Sequence, residues 1–249
     1  MIPKKKTSTF IGHMRPIAVS TTLLKMVSSI INARLLRECV KQKVICKEQS
    51  GFLPNEETTG QVLFLLEQVA KMRNSEQGEG YVCFLDISSA YTSVCHELLF
   101  KILRTQKCPE KIVKYIESMY RNASVVAKWD TVDYEHIPIQ RGLRQGDPLS
   151  PLLFLLYVNG LRQYLESSPK LIMYADDMVV YDSDLNKFRW RVGALGAWLK
   201  ELDLHVNGSK CGMMGVNEFS QAKLKDAEVL CQDQEMKVDI SFSRTEYMY

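Results

Sequence analysis

The sequence predicts an α+β fold, in which helices and short strands are mixed along one chain. Residues 81–85 form a short apolar run that ends in Asp86, as expected of a buried strand. Residues 171–181 are two apolar runs around a tight polar point, which indicates strand, turn and strand. Residues 20–45 carry apolar side chains at helical spacing, and these three observations together favour helices packed on a sheet.

The remaining elements follow from the same patterns. Proline near the start of a helix and an aspartate before one are typical initiation signals, the latter at Asp184. We expect a strand pair within 1–18, helices at 56–73, 96–106, 109–121, about 148–165 and 185–203, strands at 124–129, 134–140 and 213–216, and strand-like patches near 237–242.

Composition limits the class of protein. The chain has 249 residues, 46% of them hydrophobic, which suits one or two globular domains. Its seven cysteines are scattered without a C-x-x-C pair, so we interpret them as reduced thiols and expect no zinc site. No apolar run reaches the roughly 18 residues of a membrane span, and no signal-peptide core is present. These features predict an intracellular protein of the cytoplasm or nucleus that is not secreted.

The charge is unevenly distributed. Residues 1–47 contain ten Lys or Arg and one acid, Glu38, whereas the whole chain carries +3, so the first segment is +9 and the rest −6. A basic front on an acidic body suggests a polyanionic partner. A solvated helix face is the alternative explanation.

Asp176 and Asp177 are the first candidates for a catalytic site. Two adjacent carboxylates at a turn repel each other, and hard oxygen ligands suit Mg²⁺. Asp86 follows a buried strand and is a candidate third carboxylate for a two-metal site. The alternatives are a solvated hairpin turn for the pair and a helix cap for Asp86.

Three further groups are candidates for binding nucleotides. Residues 142–151 combine glycines, Gln145 and a helix start, which suits a phosphate or base contact, although a plain loop-to-helix junction is the alternative. Lys210 follows a turn and is a candidate general acid or a solvated lysine. Lys4 and Arg15 are candidates for contacting a triphosphate or belong to a surface patch.

The motifs, taken in order, resemble one family. They are Arg15-Pro16-Ile17, Gln49-Ser50-Gly51-Phe52, Phe84-Leu85-Asp86 with Ala90-Tyr91, Gly142-Leu143-Arg144-Gln145-Gly146-Asp147-Pro148-Leu149-Ser150-Pro151, Tyr174-Ala175-Asp176-Asp177 and Lys210. This series resembles the reverse transcriptases of non-LTR (LINE-like) retrotransposons over nearly the whole chain.

The resemblance implies a right-handed polymerase fold with a ferredoxin-like antiparallel sheet. It implies fingers at 1–80, palm at 81–216 with a fingers insertion near 120–140, and the end of the palm with the start of the primer grip at 217–249. The thumb is expected to be missing from this chain, and its C-terminus to be poorly ordered.

The resemblance also implies the chemistry, an RNA-directed DNA polymerase (nucleotidyltransferase) acting on an RNA template, a DNA primer and deoxynucleoside triphosphates. Matching positions imply two Mg²⁺ ions, or Mn²⁺, at Asp86, Asp176, Asp177 and the Ile87 carbonyl, with Lys210 as proton donor. They imply nucleotide contacts by Tyr91, which would exclude a 2′-hydroxyl, and by Gln145, Gly146, Lys4 and Arg15. The chain would be part of a larger polyprotein with an endonuclease.

Two other functions compete with this one. An RNA-directed RNA polymerase is disfavoured by Ala175 and Tyr91, because viral examples usually carry Gly and an acid there. An inactive remnant that only binds RNA is the second. Thr92 departs from the family, which usually has an acid or Asn at that position.

Overall fold

The structure is a computed structural model that divides into two compact units. The first unit comprises residues 1–44 and 91–157, and the second comprises residues 45–90 and 158–249. The described residues are 2–3, 14–15, 18–129, 132–160, 170–232 and 234–236.

The first unit is mainly helical. Its elements are β1 (Ile2–Pro3), β2 (Met14–Arg15), α1 (Thr22–Lys41), α4 (His96–Thr105), α5 (Glu110–Arg121), β4 (Ser124–Trp129), β5 (Val132–Pro138) and α6 (Ser150–Tyr157), while the short α3 (Ala90–Ser93) begins at the boundary between the units. β1 pairs with β2, and β4 with β5, both antiparallel. The predicted N-terminal strand pair is thereby confirmed.

The core of the first unit lies between α4, α5 and α6. Both α4 and α5 are amphipathic, and their apolar faces carry Leu99, Leu103 and Ile116, which are fully buried. Helix α6 is apolar all round and buried along its length, as expected of a helix in the centre of a core.

The second unit is built on a four-stranded antiparallel sheet. Its strands are β3 (Tyr81–Leu85), β6 (Leu171–Tyr174), β7 (Asp177–Asp182) and β8 (Gly212–Gly215), in the order β6-β7-β3-β8. Sequence neighbours β6 and β7 form a hairpin, but β3 lies between β7 and β8, which follow it much later in the chain. The sheet therefore depends on long-range pairing.

Helices cover this sheet. α7 (Leu185–Glu201) packs on β7 and β3, α8 (Glu218–Lys225) packs on β8 and β3, and α2 (Thr58–Arg73) packs on β6. The two-stranded ladder of β9 (Leu230–Cys231) and β10 (Gln234–Glu235) lies beside α7. Asp184 caps α7 by accepting a hydrogen bond from the Lys187 N–H at 2.9 Å, which confirms the predicted helix start.

Two expectations about elements need correction. The helix predicted to reach about residue 165 ends at Tyr157, because Asn159 and Gly160 are poor helix formers and the Asn159 carboxamide accepts a hydrogen bond from the Cys46 N–H. Residues 161–165 of the predicted range lie outside the described residues. Helix α8 was not predicted, although Asn217 is a standard cap residue and accepts from the Ser220 N–H. The strand-like patches near 237–242 and the expected order of the C-terminus lie outside the described residues.

None of the helices in the described part of the chain is long and apolar enough to cross a membrane.

Candidate active site

The register of the sheet sets Asp86 opposite Asp177. β3 and β7 are antiparallel, and the last pair in their ladder is Leu85 with Met178. Asp86 is the next residue after Leu85 and Asp177 is the residue just before Met178, so both carboxylates come from the same edge of the second unit. Two candidates that are far apart in sequence are brought together by strand pairing.

Asp176 lies in a two-residue loop between β6 and β7. Tyr174 pairs with Asp177, which leaves only Ala175 and Asp176 to reverse the chain. Ala175 has a φ of 58°, in the left-handed region that residues other than glycine seldom adopt. The tight loop puts Asp176 beside Asp177 and therefore near Asp86.

Asp86 is bound by two side chains from the loop that follows α7. The Lys210 ammonium donates to Asp86 Oδ1 at 3.2 Å and to Oδ2 at 3.3 Å, and Asn207 Nδ2 donates to Oδ2 at 3.2 Å. Lys210 itself is largely exposed, with 64% of its side-chain surface accessible, against 23% for Asp86. The Lys210 ammonium is therefore bound to Asp86 on a side chain that is otherwise largely surrounded by solvent.

The same loop also holds the backbone around Asp86. The Asn207 N–H donates to the Asp86 carbonyl at 2.8 Å, and the Ser88 N–H donates to the His205 carbonyl at 2.7 Å. The Cys211 thiol accepts from the Asp86 N–H at 3.3 Å and lies 3.8 Å from its carbonyl oxygen as a weak donor. The contacts of Asn207 and Cys211 with Asp86 were not predicted, since a single Asn or a single Cys forms no sequence pattern that indicates a distant partner.

The electrostatics of the three carboxylates are coupled. The pKa of Asp177 lies above its ordinary value because the surrounding protein partly desolvates the carboxyl group and because Asp176 and Asp86 are close. Lys210 acts in the opposite direction. Asp177 therefore lies in the field of two neighbouring carboxylates, and a divalent cation with hard oxygen ligands would relieve the repulsion between them.

The carboxylates are nevertheless not arranged as a closed ligand set. Among the residues that the structure describes, no three His, Cys, Asp or Glu side chains form a group ready to hold a metal ion. Both oxygens of Asp86 face Lys210 instead. Ile87, whose carbonyl was the fourth expected ligand, is buried and forms an isolated bridge with Val206. The residues fit a divalent ion by chemistry, and Lys210 would have to leave Asp86 to admit it.

Tyr91 and the glycine-rich loop belong to the first unit, where they are joined to each other. The Tyr91 ring is stacked on Phe154, with centroids 5.2 Å apart and an interplanar angle of 11°. The Leu143 N–H donates to the Tyr91 carbonyl and the Gly142 N–H donates to the Val94 carbonyl, both at 2.8 Å. Tyr91 is thus packed on the buried Phe154 ring and hydrogen-bonded to Leu143, in the loop that leads to Gln145.

Gln145 and Gly146 form the tip of that loop. Gln145 is partly exposed, and its backbone carbonyl accepts a hydrogen bond from the Ala18 N–H at 2.8 Å. Gly146 has a φ of 100°, which a side chain would disfavour. Just behind the tip, Asp147 is buried and accepts from Ser28 Oγ at 3.0 Å and from the Leu149 N–H at 2.9 Å. The aspartate of this motif is therefore a structural support.

The side chains of two expected nucleotide ligands lie outside the described part of the chain. Lys4 lies outside the described residues, and for Arg15 only the backbone, in β2, is described. Their expected contacts with a triphosphate stay predictions.

The helices and the antiparallel sheet agree with the right-handed polymerase fold. Solved structures that share the fold include telomerase from Candida albicans in complex with a fragment of telomeric RNA, with a TM-score of 0.60 at 14% identity, covering 79% of this chain and 34% of that one. Apo telomerase from Candida tropicalis truncated from its C-terminal domain matches with a TM-score of 0.57 at 14% identity, over 79% of this chain and 40% of that one.

The chain belongs to the reverse transcriptase (RNA-dependent DNA polymerase) family, whose model matches residues 2–237. A Pol polyprotein of the type-2 retrotransposable element R2DM of Drosophila melanogaster is 26% identical over 86% of this chain and 21% of its own length. The RNA-directed DNA polymerase from mobile element jockey of the same fly is 27% identical over 83% of this chain and 24% of its own length. These relatives identify a reverse transcriptase domain of the non-LTR type.

A reverse transcriptase-like protein of Chlamydomonas reinhardtii is 31% identical over 67% of this chain and 41% of its own length. The chain spans about a fifth of the length of the R2 polyproteins that it matches. Divalent metal ions are general to reverse transcriptases.

Proposed function

We propose that this chain is the catalytic core of an RNA-directed DNA polymerase from a non-LTR retrotransposon. It would add deoxynucleotides to the 3′-hydroxyl of a DNA primer along an RNA template. The observation that carries the proposal is the convergence of Asp86, Asp176 and Asp177 at one edge of the sheet, in a chain of the reverse transcriptase family. A hairpin exposed merely as a turn would not need a third carboxylate opposite it.

The three carboxylates are proposed to hold two Mg²⁺ ions, with the Ile87 carbonyl as a further ligand and Mn²⁺ as a substitute. When bound, such ions would lower the pKa of the primer hydroxyl and neutralise the departing pyrophosphate. Asp86 and Asp177 follow and precede paired residues of neighbouring strands, so the sheet fixes the positions of their backbones before any ligand binds. This preorganisation is the contribution of the protein.

Lys210 is proposed to deliver a proton to the pyrophosphate as it leaves. Its ammonium is bound to Asp86 in this structure, on an exposed and flexible side chain. Once the charge on Asp86 is neutralised otherwise, Lys210 loses its main partner and is free to turn toward an incoming triphosphate. The same residue would thus neutralise Asp86 in the free enzyme and act as an acid in the reaction.

The first unit is proposed to supply the nucleotide contacts. Tyr91, supported by Phe154, would press on the sugar and exclude a 2′-hydroxyl, because a ring held by stacking cannot yield readily. Gln145 and Gly146 would lie against the base pair being formed. Lys4 and Arg15 would contact the triphosphate by charge.

The domains and partners follow as further parts of the proposal. Fingers at 1–80, palm at 81–216 with an insertion near 120–140, and the end of the palm at 217–249 would grip an RNA template, a DNA primer and deoxynucleoside triphosphates. The charge of +9 over residues 1–47 suits the phosphate backbone. The domain would work within a longer polyprotein that also carries an endonuclease.

Primer extension on an RNA template tests this function. The parent chain, with a thumb domain fused after Tyr249, should extend a DNA primer in the presence of Mg²⁺. Asp86→Asn and Asp176→Asn should abolish extension while far-UV circular dichroism stays unchanged, whereas Asp226→Asn, which alters an exposed aspartate at the end of α8, should keep it. Full activity of Asp86→Asn would remove the two-metal assignment.

A further inference from the structure

Residues 48–51 run alongside the outer strand of the sheet. The Met173 N–H donates to the Glu48 carbonyl at 2.7 Å, and the Ser50 N–H donates to the Met173 carbonyl at 3.0 Å. Gln49 forms an isolated parallel bridge with Met173, and only 3% of its surface is exposed. The segment is thus bound to Met173, two residues before Ala175, where the tight loop begins.

The buried carboxamide of Gln49 binds both backbone polar groups of Ala175. Gln49 Oε1 accepts from the Ala175 N–H at 2.9 Å, and Gln49 Nε2 donates to the Ala175 carbonyl at 3.3 Å. Oε1 also accepts from the Gly51 N–H at 2.8 Å. Two N–H donors point at one terminal atom, so that atom must be the oxygen, and the orientation of the amide follows from the network.

The contact is close because Gly51 leaves room for it. A side chain at Gly51 would collide with the backbone nitrogen of Ala175. Ala175 also has a φ of 58°, a conformation that an alanine adopts only when its surroundings impose it. Gln49 and Gly51 together supply such surroundings, one by hydrogen bonds and the other by close approach.

We propose that Gln49 is a positioning residue that sets the backbone of the loop carrying Asp176 and Asp177, and so the geometry of their carboxylates. The importance of those carboxylates rests on the proposed function. The control of the Ala175 backbone by Gln49 does not, because it follows from the hydrogen bonds alone. Gln49 touches neither aspartate side chain in any contact seen here, and it acts through Ala175, which precedes them directly.

A purely structural role for Gln49 makes a different prediction. A buried amide that only satisfies local backbone groups would, when lost, lower the stability of the whole unit and leave metal affinity unchanged in the folded fraction. A positioning residue would lower metal affinity at equal folding. Loss of groups that orient metal ligands typically costs about 10–100-fold in affinity or activity.

The experiment measures Mn²⁺ affinity of the purified 249-residue chain by electron paramagnetic resonance, together with hydrogen exchange at the Ala175 amide. Gln49→Met keeps the volume and removes all three hydrogen bonds. We expect about tenfold weaker Mn²⁺ binding and faster exchange at Ala175. Gln49→Glu keeps the acceptor for both N–H groups and should retain slow exchange. The matched control is Gln61→Leu, which removes a 2.7 Å hydrogen bond to Ser50 Oγ in the same segment without touching Ala175.

The outcomes separate the two proposals. Where the parent binds Mn²⁺, equal Mn²⁺ affinity in folded Gln49→Met and the parent would overturn the positioning role, whatever the exchange rate at Ala175. If the parent binds Mn²⁺ no better than Asp176→Asn, the metal site proposed above fails, and faster exchange in Gln49→Met alone would still establish control of the loop. If Gln49→Met does not fold, fast exchange at Ala175 in a folded Gln49→Glu overturns the role and slow exchange supports it.

Discussion

Lys210 forms an ion pair with Asp86 through both carboxylate oxygens, at 3.2 and 3.3 Å. The two residues are 124 positions apart, and the pair joins the candidate proton donor to a candidate metal ligand. Because the lysine is largely exposed, the pair contributes little to folding. Its importance lies in the charge balance of the three carboxylates.

Replacing Lys210 should therefore change the titration of Asp177. Lys210 lowers the pKa of Asp177, whereas desolvation, Asp176 and Asp86 raise it. In Lys210→Met we expect the Asp177 pKa to move further above its ordinary value, measured by carbon-detected NMR titration of the side-chain carboxyl. An exposed lysine elsewhere, as in Lys187→Met, should leave that titration unchanged. An Asp177 pKa that fails to rise in Lys210→Met would contradict the charge coupling.

Asp177→Asn should be slightly stabilising. A carboxyl whose pKa is raised by folding binds more protons folded than unfolded, so stability falls as pH rises from the ordinary pKa through the raised one. Above that window the charged group opposes folding, and Asn removes the opposition. We expect a Tm about 1–2 °C higher at pH 7, with primer extension lost. The gain should vanish at pH 3, where the parent carboxyl is protonated, and a lower Tm at pH 7 would contradict this account.

The buried pair of Asp182 and Arg191 should show the opposite pH dependence. Burial alone would raise the pKa of Asp182, but hydrogen bonds from Lys170, the Asp184 N–H and Arg191 hold it below its ordinary value. Its stabilisation is thus present above the ordinary pKa and is lost as pH falls through the lowered one. Asp182→Asn should cost about 3–5 kcal/mol at pH 7, because it leaves Arg191 buried without its carboxylate.

Urea unfolding of this variant and its parent at pH 7 and pH 3 provides the measurement. Lys170→Met is the matched control, since the Lys170 side chain is one-third exposed and its loss should cost less than that of the buried partner. A cost for Asp182→Asn that does not shrink between pH 7 and pH 3 would argue against the ion pair as the source.

Cys211→Ala should disturb the backbone of Asp86. The thiol accepts from the Asp86 N–H, and Ala leaves that donor without this partner at a cost of about 1–3 kcal/mol. We expect a lower Tm and slower primer extension, with kcat falling more than KM rises. Cys211→Ser keeps a donor and acceptor and should retain most of the activity. Equal kinetics of the Ala variant and the parent would show that this contact does not position Asp86.

Tyr91→Val should relax the choice of sugar. A smaller side chain over Phe154 removes the surface proposed to exclude a 2′-hydroxyl, so the ratio of kcat/KM for dCTP over CTP should fall at least about tenfold. Tyr115→Val, on α5 of the same unit, is the control and should keep the parent ratio. An unchanged ratio in Tyr91→Val would remove this residue from sugar selection.

The helices and strands that face a core were largely predictable from the sequence, because apolar periodicity reports burial directly. Strand β3 and the hairpin around Asp176 lie where their patterns placed them. Helix α1 also lies in its predicted range, although Leu23 and Ile30, two of the apolar side chains in its pattern, are exposed. The ends were less predictable, as at Tyr157, where α6 stops shortly before Asn159, a residue whose side chain binds the distant Cys46 N–H. The short polar helix α8 was not predicted from its sequence pattern, because its burial comes from packing on β8 and β3.

The sequence by itself determined which residues are candidates for chemistry, since Asp86, Asp176 and Asp177 stand in motifs that resemble one polymerase family. Only the tertiary structure decided what holds them. Gln49 reaches Ala175 across 126 residues, and Asn207 and Cys211 reach Asp86 across 121 and 125. Such contacts depend on the order and register of the strands, and a single polar residue in a loop carries no local pattern that encodes its distant partner.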